Sequence, residues 1–159
     1  MPVTPNIMSA VSVFNSLEAL SAKIGMWFQA PLLLVIRLYW GWGFAQTGWG
    51  KLMDLERTTE FFASIGLPAP KINASAAGSG EPVGGVLLAL GLFTRFASPA
   101  LLFTMIVAYA AANPEAVLAL FSAPDKFTDA APFLFFAAAL IVFAFGPGKL
   151  SLDALVRKK

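Results

Sequence analysis

The sequence predicts an all-α fold: an integral membrane four-helix bundle with interfacial amphipathic helices. Two observations carry this. Of the 159 residues, 58% are hydrophobic and 13% charged, with a mean hydropathy of +0.74. Soluble domains are about a quarter charged, so this chain lacks the polar surface to cover a globule in water. Apolar stretches near the ~20 residues that a bilayer crossing needs also recur four times between turn signals.

Residues 6–28 come first. Ile7, Val11, Phe14, Leu17 and Ile24 recur at helical spacing with Ser9, Ser12, Asn15, Glu18 and Lys23 between them. This predicts an amphipathic helix lying at the membrane interface, with Trp27 and Phe28 in the headgroup belt. The start of the chain has no basic segment, so no cleavable signal peptide is expected. A first span is predicted from Pro31, suited to a first helical turn, to Gly50. Asp54 to Ile65 predicts a short helix with an acidic first turn and Gly66 past its end. Leu55, Phe62 and Ile65 would face the membrane, and Leu67-Pro68-Ala69-Pro70 reads as a stiff connector.

The second span is predicted over 73–93, capped by Asn73, with a tight turn at Thr94-Arg95-Phe96. The third covers 97–112. Asn113-Pro114-Glu115 starts a short helix to Phe121, and Ser122–Thr128 reads as a loop. The fourth span covers 130–145, stopped by Gly146-Pro147-Gly148, after which Ser151 caps a last amphipathic turn. The chain thus divides into an amphipathic segment (1–30), a four-helix transmembrane domain (31–155) and a basic tail (156–159). Four spans put both termini on one side. That side holds six basic residues (Lys23, Arg95, Lys149, Arg157, Lys158, Lys159) and the other holds four (Lys51, Arg57, Lys71, Lys126). The bias predicts cytoplasmic termini.

Composition also excludes chemistry. The chain has no Cys and no His, which removes iron–sulfur ligation, imidazole-ligated haem and the usual zinc or copper ligands. The five Met residues are scattered. No metal site and no catalytic residue is expected.

Glu81 stands alone as a charge in the run Ala76–Leu92, directly before Pro82 and among glycines. A carboxylate in hydrocarbon costs about 3 kcal/mol or more, so it is a functional-site candidate by default. Pro82 removes a helix hydrogen bond and predicts a kink. Glu81, Gly84/Gly85, Leu88, Leu92 and Arg95 share a helix face. In the first span Arg37, Gly41, Phe44, Gly48 and Lys51 share another, one suited to close packing on protein, with Gln46 and Thr47 nearby. Arg37 lies about 6 residues deep and Glu81 about 12, roughly 9 Å apart in depth, so an Arg37–Glu81 ion pair is expected. The alternatives are a snorkelling Arg37, interface anchors at Lys51 and Arg95, an aromatic belt formed by the tryptophans, and a purely structural Glu81.

Together, Arg37-x3-Gly41-x2-Phe44-x3-Gly48-x2-Lys51-Leu52, Gly66-Leu67-Pro68, Glu81-x2-Gly84-Gly85-x5-Gly91-x2-Thr94-Arg95, Met105-x2-Ala108 and Gly146-Pro147-Gly148-x2-Ser151-Leu152-Asp153 closely resemble the DoxX family over residues 32–155. Pro82 directly after the acid departs from the usual pattern. The resemblance implies a small four-helix protein of the bacterial or archaeal cytoplasmic membrane. It also implies an association with oxidoreductase partners, the family being named from a subunit of a thiosulfate:quinone oxidoreductase.

Three functions follow as expectations. The first is a non-catalytic membrane subunit that anchors or assists a quinone-linked oxidoreductase. The second is a quinone-reactive subunit in which Arg37, Glu81, Lys51 and Tyr39 bind carbonyl oxygens or relay protons. The third is a proton-coupled transporter or lipid-binding bundle centred on Glu81. The binding or proton-handling candidates are Glu81, Arg37, Lys51, Tyr39 and Gln46; the packing and kink positions are Gly41, Gly48, Pro82, Gly84 and Gly85. Expected ligands are quinone or lipid with no tightly bound cofactor. Expected partners are membrane lipid and a redox protein or larger membrane complex, with no nucleic acid.

Overall fold

The computed structural model describes residues 5–157, with side chains from residue 10 onward. Every regular element among them is helical: α1 (Pro5–Met53), α2 (Leu55–Ser64), α3 (Pro70–Leu90), α4 (Thr94–Ala112), α5 (Pro114–Leu118), α6 (Pro124–Asp129), α7 (Pro132–Phe145) and α8 (Leu152–Arg157). Two helices are long and apolar enough to cross a bilayer by length and composition, α1 within Ala10–Met53 and α4; α7 is a shorter apolar helix.

The core lies where α1, α3, α4 and α7 meet. It comprises Phe44, Leu88, Leu101, Met105, Ala139 and Val142. The most extensive contact is between α1 and α3, and Gly41 and Gly85 make it possible. A Cβ on Gly41 would stand 2.6 Å from the Gly85 carbonyl oxygen, and one on Gly85 would stand 2.5 Å from that of Gly41. Two backbones this close admit no side chain between them. Gly84, on the next face of α3, receives Leu101 of α4.

Several boundaries differ from expectation. The amphipathic segment and the first span are one helix, running unbroken through Pro31 and across the expected division at residue 30. A proline inside a helix removes one hydrogen bond; the helix-compatible residues on both sides carry α1 past it. The stretch expected to lie on the interface thus belongs to the same helix as the expected first span. α3 likewise runs through Pro82 without interruption and begins at Pro70, not at Asn73. Proline in a first turn loses nothing, and Asn73 instead donates from Nδ2 to the Pro68 carbonyl at 2.6 Å. The α3–α4 turn falls at Gly91-Leu92-Phe93, with positive φ at Gly91 and Phe93. α6 occupies part of the expected loop 122–128.

Other local signals hold. Asp54 caps α2 by accepting from the Arg57 N–H at 3.2 Å. Ser151 caps α8 by accepting from the Ala154 N–H at 3.1 Å. Lys158 and Lys159 of the expected basic tail lie outside the described residues.

Candidate functional site

At the α2 end of the body, the last turn of α1 meets α2, the first half of α3 and the second half of α4 around a cavity of about 280 Å³. Its walls are almost wholly apolar, with Phe61, Phe62 and Ile65 from α2 and its cap and Phe103, Val107 and Ala108 from α4. The exceptions are Lys51, Glu81, Asn73 and Thr104. The amphipathic character of α2 puts its aromatic face here, and small residues (Ala76, Ala77, Ala108, Ala111) leave the space open.

The charges form a pair. Lys51 Nζ lies 2.5 Å from both Glu81 Oε1 and Oε2. Thr47 Oγ1 stands 3.1 Å from the Phe44 carbonyl and 3.3 Å from Glu81 Oε2, between two acceptors for its one proton. Glu81 is 2% exposed and Lys51 28%. The carboxylate is therefore enclosed while the ammonium borders the cavity. An ammonium has three protons and Glu81 engages two, which leaves one donor for a guest.

This pairing replaces the expected Arg37–Glu81 contact. The glycine contacts set an antiparallel α1–α3 register in which Gly48 faces Glu81 and Pro82, while Arg37 faces Gly91. Arg37 and Gly48 are 11 residues apart, about 16 Å along the helix, beyond the reach of an arginine side chain. Lys51, on the same face one turn beyond Gly48, is the cation within reach.

Arg37 belongs to the opposite end. It is fully buried, packs on Gly91 and donates from Nη2 to the Leu150 carbonyl. Its Nε and Nη1 find no partner among the described residues, and Asp153 acts on it electrostatically. Asp153 ties α8 to the start of α4. It accepts from the Phe93 N–H and the Thr94 N–H, both at 3.0 Å, and from Thr94 Oγ1 at 2.7 Å. Burial pushes its carboxyl up, but these hydrogen bonds and the charge of Arg157 outweigh it and hold the group below its ordinary value.

Tyr39 and Gln46 lie elsewhere again. They border an open groove on the outer face of α1, together with Trp40, Trp42, Gly43 and Phe135 of α7. Trp40 and Phe44 each meet the Phe135 ring edge-on, at centroid distances of 4.9 and 4.8 Å. The five candidates thus occupy three places: Lys51 with Glu81 at the cavity, Arg37 at the opposite end, and Tyr39 with Gln46 on the outer groove. The roles of α2 as the cavity's cover and of Asp153 as a tie were not foreseen. The apolar positions Phe61, Phe62 and Ile65 at helical spacing were the available signal for the first. Among the described residues, no three His, Cys, Asp or Glu side chains group as metal ligands would.

No curated protein and no solved structure matches the chain. A sequence model described as DoxX matches residues 32–114. That range takes in the body of α1, all of α2, α3 and α4, and so every wall of the Lys51–Glu81 cavity; the motif around Gly146–Asp153 lies beyond it. With just over half of its length matched, including both members of the buried ion pair, the chain belongs to the DoxX family, a family of membrane proteins.

Proposed function

We propose that the chain is a multi-pass membrane subunit, crossing the bilayer with α1, α3, α4 and α7 and with both termini in the cytoplasm. Its cavity would bind the head of a quinone for a redox partner. The observation that carries this is the Lys51–Glu81 pair, its carboxylate enclosed and its ammonium bordering an otherwise apolar cavity. Ligand sites are largely apolar with a few placed polar groups. A quinone ring matches the walls, and its carbonyl oxygen accepts from the remaining Lys51 proton. The exposed apolar surface of Phe103 and Phe61 beside the cavity suits entry from the lipid between α2 and α4.

Glu81 would hold Lys51 charged and in place. Where a partner reduces the quinone, the pair is also placed to pass a proton to the carbonyl oxygen. With neither Cys nor His in the chain, electrons would come from a partner protein. A proton-coupled transporter is the second reading. Its gate would be a glycine–proline break in α3, and the unbroken α3 packed on α1 and α4 favours it less.

Binding of a short-tailed ubiquinone analogue to the protein in nanodiscs, followed by tryptophan quenching, tests the proposal. Lys51→Met should weaken binding roughly 10- to 150-fold, the worth of one charge-assisted hydrogen bond. Ala108→Phe, which fills the cavity, should abolish it. Wild-type affinity in both variants would overturn the quinone reading.

A further inference from the structure

The outer face of α1 carries a feature that neither the cavity nor the core uses. Phe14, Ser21, Phe28, Val35, Trp42 and Trp49 follow one another at intervals of seven residues, and all are exposed. Leu17 and Ile24 flank this row in the first half of the helix. Tyr39, Gln46 and Met53 flank it in the second. A strict seven-residue repeat is the pattern that keeps a seam on a partner helix in a left-handed crossing.

We infer that this face is the interface between two copies of the chain, joined in parallel along α1. Length decides against lipid as its cover. From Phe14 to Met53 the face spans about 58 Å, whereas the hydrocarbon of a bilayer is about 30 Å thick. The helix is unbroken, so whichever part crosses the membrane, the rest carries large exposed apolar side chains outside it. A second α1 has the same length and covers the whole face. The row from Phe14 to Trp49 bears no charged side chain, and Glu18, four residues after Phe14, is the one charge at its edge. Its five aromatic residues, if fully covered, remove roughly 800–1,000 Å² per copy, what a standard interface buries on each side.

Gln46 supports the same partner. It sits on this face in the body of α1 and has no hydrogen bond among the described residues. An amide facing hydrocarbon without a partner is costly, and amides are known to bond across helices in membranes. In a two-fold dimer Gln46 meets Gln46. Beside it, Gly43 leaves the groove over Phe135 open to receive an aromatic side chain of the second copy.

The chain has no cysteine, so single-cysteine variants report without background. In nanodiscs of phosphatidylethanolamine and phosphatidylglycerol, oxidation should cross-link Phe14→Cys, Ile24→Cys, Val35→Cys and Trp49→Cys as dimers. Asn15→Cys and Met26→Cys, exposed on the far side of the same helix, and Phe103→Cys on α4 should remain monomers. Gln46→Leu should weaken dimerisation roughly 3- to 30-fold in a dilution series in lipid. Three results would each overturn the inference: equal cross-linking at face and control positions, cross-linking at Val35 and Trp49 without Phe14 and Ile24, or a monomer at all lipid dilutions.

Discussion

Removing both members of the Lys51–Glu81 pair should cost less than the sum of removing each alone. The sizes follow from burial. Glu81 is 2% exposed, and Lys51→Met leaves it enclosed with only Thr47 beside it. Breaking a buried pair in this way costs about 3–5 kcal/mol. Glu81→Gln should cost less, about 1–3 kcal/mol, because Lys51 borders the cavity and its 28% exposure lets the ammonium turn toward it. The double variant Lys51→Met/Glu81→Gln should recover about 1–3 kcal/mol of the summed losses. Reversible unfolding in mixed detergent micelles measures each corner of the cycle. A parallel cycle with Arg37→Met and Glu81→Gln supplies the control. The register sets those two groups about 16 Å apart along the helices, so their effects should add within ~0.5 kcal/mol. Additive losses for Lys51 and Glu81, or coupling between Arg37 and Glu81, would refute the register and with it the site.

Gly41→Ala should prevent normal α1–α3 packing, since its new Cβ would stand 2.6 Å from a backbone oxygen that cannot yield; Gly50→Ala, with nothing within 4 Å, should be neutral or slightly stabilising in the same unfolding assay. Asp153→Asn should loosen α8 from α4 by about 1–3 kcal/mol, read as faster hydrogen exchange at the Phe93 and Thr94 amides. Because the folded protein holds the Asp153 carboxyl below its ordinary value, the wild-type contribution is fully present above about pH 4 and is lost as pH falls through the folded value. Protection of those amides that persists in Asp153→Asn would refute this tie.

The parts legible in the sequence were those set by neighbours along the chain. Asp54 and Gly66 bounded α2, Ser151 capped α8, and the glycines at 41, 48, 84 and 85 marked faces packed on protein. Each is a local property of backbone geometry or of a missing side chain. The mistakes arose where two elements had to be set against each other. Depth counted from estimated helix ends paired Glu81 with Arg37, although Lys51 lay on the same face of α1.

The amino-acid order by itself determined the membrane character, the helical class, the family and the two faces that carry charge. Only the tertiary structure decided which charges meet, because register between antiparallel helices is set by contacts between backbones. Gly41 on Gly85 and Gly48 on Pro82 place Glu81 beside Lys51 and send Arg37 to the far end with Leu150. The tertiary structure also decided that α2 covers a cavity and that α1 continues past Pro31. Local sequence does not determine either, because each depends on what packs against the helix.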